Sequence, residues 1–155
     1  MSVKIMKTVT VDKTDAKKPI VTFTLGNDKI MKAELYPDAA PITVENFIKL
    51  IDNEFYNGLT FHRIIRGFVI QGGDPQGNGT GGSGQHIIGE FAKNGIKNDI
   101  KHERGVLSMA RAAHPDSASS QFFIMHAEAP HLDGDYAAFG RIIEGIEVVD
   151  EIVLS

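Results

Sequence analysis

The stretch FHRIIRGFVIQGGDPQGNGTGGSG, residues 61–84, sets His62, Arg63, Arg66 and Gln71 among apolar residues and then runs into a glycine-rich loop. Most chemistries that such material calls to mind fail on spacing. A phosphate loop of the Walker type needs G-x-x-x-x-G-K-[ST], and no Lys-Ser or Lys-Thr pair follows these glycines. A dinucleotide site needs its glycines between a strand and a helix, and no helical pattern follows here. Gly81-Gly82-Ser83-Gly84-Gln85 misses the G-x-S-x-G elbow at its last residue, and Ser119-Ser120 has no evident base partner. The six histidines, His62, His86, His102, His114, His126 and His131, never fall at H-x-x-x-H spacing. Asp133-Gly134-Asp135 lacks the further acidic positions of a calcium loop. Scattered surface or hydrogen-bonded histidines are expected, with no metal. What survives is Arg63 with Gln71, echoed by Ser120-Gln121-Phe122-Phe123, where a polar amide again stands beside aromatics. An apolar pocket with a few aimed donors is what a small-ligand or peptide site requires. A solvated edge or a structural ion pair is the plain alternative for Arg63.

Strand parity bears on that choice. In an unbroken strand Phe61, Arg63 and Ile65 share one face, and His62, Ile64 and Arg66 the other. Gly67 interrupts the count, so parity does not reach Gln71.

The elements that must hold these residues are mostly short strands. VKIMKTVTV (3–11) and IVTFTL (20–25) are rich in β-branched residues. Gly26-Asn27-Asp28 turns the chain back into KIMKAEL, so residues 20–35 read as a hairpin. Val44, Phe47, Ile48 and Ile51 lie at helical spacing after Pro41, which suits a first turn. Strands follow near 60–65 and 67–72, then a long irregular loop at 72–84, functional or mobile rather than core. Further strands are expected at 105–111, 121–126 and 137–143. A last helix at 145–153 carries Val149, Ile152 and Val153 on one face. Few strands are joined through a helix, which favours an antiparallel sheet, and closure into a barrel would remove exposed edges.

The chain has 155 residues, 42% of them hydrophobic and 23% charged, values that one soluble globular domain accounts for. The formal charge of −4 argues against a broad nucleic-acid surface, although Lys4, Lys7, Lys13, Lys17 and Lys18 make the N-terminal segment basic. Without cysteine there is no disulfide, thiol catalysis or thiolate metal site. No signal peptide or membrane-length apolar run is evident, so a cytoplasmic protein is expected.

FHRIIRGFVIQGGD, GTGG, GVLSMA, SSQFFI and HLDGDYAAFGRI, in this order and spacing, resemble the cyclophilin family of peptidyl-prolyl cis–trans isomerases, with a lean toward its bacterial single-domain branch. The likeness runs from about Ile20 to Val153. It implies a mainly β fold: a closed eight-stranded antiparallel β-barrel capped by two α-helices, in a single domain of residues 1–155 with 1–18 as an extension or extra strand. It implies an isomerase that assists protein folding without a cofactor, acts on proline-containing peptides and protein clients, and is a monomer. A proline-peptide-binding module without turnover is the alternative.

Position by position, Arg63 matches the family's catalytic arginine. Phe68, Val69, Phe123 and Leu132 match the walls of the proline pocket, Phe68 being grouped with the catalytic residues. Gln71 and Gln121 match its polar rim, and Gln71 would anchor the substrate carbonyl or orient Arg63. Ala110 and Arg111 match the pair whose main chain meets the substrate. His131 stands where several members have tryptophan, and Tyr136 where many have histidine. Arg66 replaces a common proline, Val69 a methionine and Arg111 an asparagine. His131 in place of an indole implies weakened cyclosporin binding with catalysis intact. Members usually continue past the last helix into a closing strand. Residues 3–11 are therefore expected either to supply that strand or to leave the barrel incompletely closed.

Overall fold

Alternation decides the first hairpin. Val21, Phe23 and Leu25 of β2 (Ile20–Leu25) and Met31, Ala33 and Leu35 of β3 (Ile30–Leu35) are fully buried, while the residues between them keep partial contact with water. The computed structural model describes residues 2–155, and β2 and β3 belong to one eight-stranded sheet. Its other strands are β1 (Met6–Asp12), β4 (Arg63–Ile65), β5 (Val69–Gly72), β6 (Val106–Met109), β7 (Phe122–Met125) and β8 (Ala138–Glu144). The order across the sheet is β1-β2-β3-β8-β6-β7-β5-β4, and every pairing is antiparallel.

The sheet curls, yet its ladders do not complete a circuit. β4 is only three residues long. The chain just ahead of it reaches β1 through an isolated bridge, Ile5 to Thr60. Backbone bonds run there from Met6 N to Leu59 O (2.8 Å), Gly58 N to Met6 O (2.7 Å) and Phe61 N to Lys4 O (2.8 Å). The expected closed barrel is thus an open, curled sheet with a seam between β1 and β4, where residues 58–61 are too irregular to form a ladder.

Two α-helices bury apolar faces in the core. α1 (Pro41–Asp52) contributes Val44, Phe47, Leu50 and Ile51. Ala40 cannot cap it, and the buried Glu90 does so from outside. Glu90 accepts from Ile42 N (3.2 Å), Thr43 N (2.6 Å) and Thr43 Oγ1 (2.7 Å), which satisfies free N–H groups at the positive end of the helix dipole. α2 (Ile146–Leu154) buries Val148, Val149 and Ile152 and leaves Val153 only partly covered. Its N-cap Gly145 has φ +83°, and a Cβ there would lie 2.4 Å from the Ile30 carbonyl oxygen, so only glycine fits. Two short 3-10 turns, Ala92–Asn94 and Pro130–Leu132, were not signalled by periodicity. No helix among the described residues is long and apolar enough to cross a membrane.

The main core is an aromatic interlock. Phe122 meets Phe23, Phe47, Tyr56 and Phe61 at centroid distances of 5.9, 5.2, 5.4 and 6.2 Å, three of these contacts being edge-on. A smaller apolar cluster holds Val69, Val106, Phe123, Met125, Leu132 and Ala138, with Phe68 and Tyr136 packed against it.

Candidate active site

Over the smaller cluster lies a hollow of about 500 Å³ lined by His62, Arg63, Phe68, Val69, Gln71, Asn78, Gly79, Ala110, Arg111, Phe123, Leu132 and Tyr136. Its base is the β4–β5 hairpin. Arg63 and Gln71 are direct cross-strand partners there, so their side chains share a face, and the guanidinium Nη1 donates to Gln71 Oε1 at 3.2 Å. Antiparallel register thus supplies what parity along the sequence could not. Gln71 Nε2 donates to Gln121 Oε1 (3.0 Å), and Gln121 Nε2 donates to the Gly81 carbonyl (2.8 Å). The result is a polar rail, Arg63–Gln71–Gln121–Gly81, along the edge of an apolar floor.

Parity fails at the other end. Phe61 is in the main core, whereas His62 and Arg63 both line the hollow, because the regular strand starts only at Arg63. Phe61 and Arg63 therefore do not share a face.

The floor is Phe123, 5% exposed, on β7. Tyr136 meets it edge-on at 5.8 Å, and the His102 ring lies stacked behind it at 6.1 Å. His102 Nε2 is 2.8 Å from Ser108 Oγ, and Nδ1 is 3.0 Å from Asp133 Oδ1, which also accepts the His102 backbone N–H at 2.6 Å. Burial pushes the His102 pKa below its usual value of 6.5 against the opposing pull of Asp133, so the ring is neutral at pH 7. Ser108 is directly opposite Phe123 in the β6–β7 ladder. The triad is sealed: Ser108 and His102 are buried, which suits a structural brace and not a nucleophile.

Gln121 stands beside the main hollow. It lines a second, adjoining depression with Gln71, Ala110, Arg111 and the glycine loop. His131 does not line the hollow and instead stacks on Phe68 at 5.9 Å. Arg111 is committed to structure. Its guanidinium bonds the Asp135 carbonyl (2.8 Å) and carboxylate (2.9 Å), and it lies 5.0 Å from the Phe91 ring and 4.7 Å from the Tyr136 ring. Ala110 donates its N–H to the Gln121 carbonyl at 3.0 Å.

Three lining residues escaped the sequence reading: His62, Asn78 and Gly79. His62 is half-buried in the wall of the hollow, and both its ring nitrogens are buried without a hydrogen-bond partner. Asn78 and Gly79 are delivered by the glycine loop, which is ordered around the buried Asp74. That carboxylate accepts from the backbone N–H of Gln76 (2.8 Å), Asn78 (3.1 Å) and Gly79 (2.6 Å). Burial pushes the Asp74 pKa up, but these donors outweigh it and hold the pKa below 3.8. Ser120 donates its hydroxyl to the Gly73 carbonyl at 2.7 Å and closes the loop's base. The only sequence signal for this wall was the aspartate in GGDP.

The model of the family "Cyclophilin type peptidyl-prolyl cis-trans isomerase/CLD" matches residues 20–154. Peptidyl-prolyl cis-trans isomerase B of Bacillus subtilis is 50% identical over 125 residues, covering 81% of this chain and 84% of its own. A Helicobacter pylori peptidyl-prolyl cis-trans isomerase is 43% identical over 150 residues, with 86% and 89% covered. A crystal structure of a Cryptosporidium parvum cyclophilin type peptidyl-prolyl cis-trans isomerase superposes with a TM-score of 0.79 at 34% identity, covering 88% of this chain and 84% of that one. A second structure of that protein, in the presence of the dipeptide Ala-Pro, gives 0.72 at 37% identity, with 80% and 78% covered. The chain belongs to the cyclophilin-type peptidyl-prolyl cis-trans isomerases.

Proposed function

We propose that the hollow seats a proline ring on Phe123, Phe68, Val69 and Leu132 while Arg63 acts on the bond before it. An X–Pro bond is nearly balanced between cis and trans, but its barrier is about 18–20 kcal/mol because the C–N bond is partly double. No bond is broken, so the task is to favour the twisted state. There the proline nitrogen is pyramidal and regains a lone pair. A donor that binds this lone pair stabilises the transition state and finds little to bind in the planar ground state. Arg63 is such a donor, always charged and unable to release its proton. Gln71 holds it in place, and Gln121 holds Gln71. A 10⁵-fold gain requires about 7 kcal/mol. One charge-assisted bond supplies about 1.5–3 kcal/mol, so fixing the ring on a rigid apolar floor carries the rest.

The observation that carries this reading is the Arg63 guanidinium, restrained by Gln71, on the rim of the same hollow whose floor is Phe123. A protease-coupled assay on an Ala-Pro peptide tests it. The intact chain accelerates isomerisation, and Arg63→Ala lowers kcat/KM by about 10- to 100-fold with the melting temperature unchanged. A background rate from the intact chain leaves only a proline-peptide binder. A nearly full rate from Arg63→Ala overturns the role of the guanidinium. The same assay run with cyclosporin reads out His131, which in place of an indole weakens inhibition without lowering turnover. Clients are peptides and proteins with accessible X–Pro bonds, met by a monomer.

The single-domain reading includes β1, which precedes the family match at residue 20. β1 pairs with β2 along most of its length, buries Met6 and Val9, and bonds residues 58–61 at its start. These contacts support β1 as an integral edge strand of the domain, set against residues 58–61 across the seam. Deleting residues 2–12 then lowers the melting temperature, because buried side chains of this size contribute about 1.5–3 kcal/mol each. An unchanged melting temperature overturns the assignment.

A further inference from the structure

The β4–β5 hairpin carries Arg63, Phe68, Val69 and Gln71, yet one of its strands is a three-residue sheet edge. Its tip therefore needs support from elsewhere. The tip is Arg66-Gly67, with Gly67 at φ +75°. His126, the residue after β7, grips it at two points. Its backbone N donates to the Phe68 carbonyl at 2.8 Å, and its ring Nδ1 lies 2.8 Å from Gly67 N. A backbone N–H can only donate, so Nδ1 must accept, and the ring is neutral with its proton on Nε2. Nε2 in turn faces Asp150 Oδ1 of α2 at 3.1 Å. Asp150 is fixed by a two-pronged contact from Arg104 (2.8 and 2.7 Å), whose Nη1 also donates to the His126 carbonyl at 2.9 Å. One chain of contacts, Arg104–Asp150–His126–Gly67, thus ties the helix to the tip of the hairpin that bears the site.

We propose that His126 is a positioning residue for the isomerase: its neutral ring clamps the hairpin tip to α2, and protonation opens the clamp. The proposal rests on the site assignment above and adds a residue that lies outside the hollow. A proton on Nδ1 would set two donors against each other at Gly67. Asp150 stabilises the imidazolium and Arg104 opposes it. The other charges nearby are Glu103, Glu128 and Arg141 around the shallow depression His126 shares with Arg104, and Arg66 on the tip itself. Arg141 is already paired with Glu103 at 2.9 Å. With the clamp open, Phe68 loses its registration against Arg63 while the core beneath stays intact.

The test follows Ala-Pro peptide exchange by NMR, which avoids a coupling protease, from about pH 8 to about pH 5.5, the range in which imidazoles titrate. Wild-type kcat/KM falls on the acid side, and the Gly67 amide shift moves with the same midpoint. His126→Ala lowers kcat/KM at about pH 8 by about fivefold, the value of one lost hydrogen bond. His126→Asn, whose Oδ1 can accept from Gly67 without titrating, restores most of that loss and flattens the acid limb. An acid limb that persists in His126→Asn belongs to His62, His102 or His131 and overturns the proposal. So does an Nδ1 found protonated at about pH 8 by ¹⁵N shifts, or an unchanged rate in His126→Ala. If the wild type shows no turnover, the site reading fails by itself, and a Gly67 amide that ignores imidazole titration sinks the clamp independently.

Discussion

Phe122 and Phe123 are neighbours on β7 and live in different worlds. Phe122 points into the main core, where four aromatic rings surround it. Phe123 points the other way, into a cluster backed by a polar brace, His102 with Ser108 and Asp133, and open to the hollow. One face of the strand is built to exclude water completely. The opposite face is nearly as dry but borders a hollow that opens to solvent. A pleated strand allows both because adjacent side chains alternate, so the rigidity of the sealed side is passed to the working side through the backbone.

The sharpest way to break the comparison is on the sealed side. Phe122→Ala removes the hub of the interlock and costs about 3–5 kcal/mol in chemical denaturation, a large share of a typical domain's stability. A loss below about 1 kcal/mol would mean that the two faces are not distinct in packing. Next, Phe123→Leu keeps bulk but removes the flat floor. Its kcat/KM drops about tenfold through loss of positioning, while stability changes by less than about 1.5 kcal/mol. Equal stability losses at both positions would erase the contrast.

The smallest effect tests the polar brace. Because the folded pKa of His102 lies below 6.5, the unfolded chain takes up a proton first as pH falls. The stability this confers is present at pH 7 and above and is lost as pH falls below about 6.5. His102→Gln removes that portion of the pH dependence, measured by urea denaturation at about pH 5 and about pH 8. Identical pH dependence in the two proteins would assign the effect to other groups.

The first hairpin, the helix after Pro41 and the final helix are where apolar spacing puts them, because periods of 2 and 3.6 report burial directly; β6 and β7, buried on both faces, carry no such alternation. The pocket residues were named through resemblance; spacing alone stopped at Arg63 and could not carry its face to Gln71. Cross-strand register, which pairs residues eight apart, is not a property of local pattern. His62, Asn78 and Gly79 went unseen for the same reason. Asp74 gathers a loop whose composition reads as mobile, and only its buried position reveals that it organises one wall.

By itself the sequence determined an antiparallel, mainly β chain with two amphipathic helices, and an arginine set among aromatics that matches one family's motif. The tertiary structure decided which groups meet. Glu90 caps a helix 47 residues away, Arg111 is spent on Asp135 and two rings, and β1 lies beside β2 while its start reaches residues 58–61. Periodicity encodes how much water each residue will see, a local quantity. Contacts between distant segments depend on how the curled sheet brings them together, and that is set by all eight strands at once.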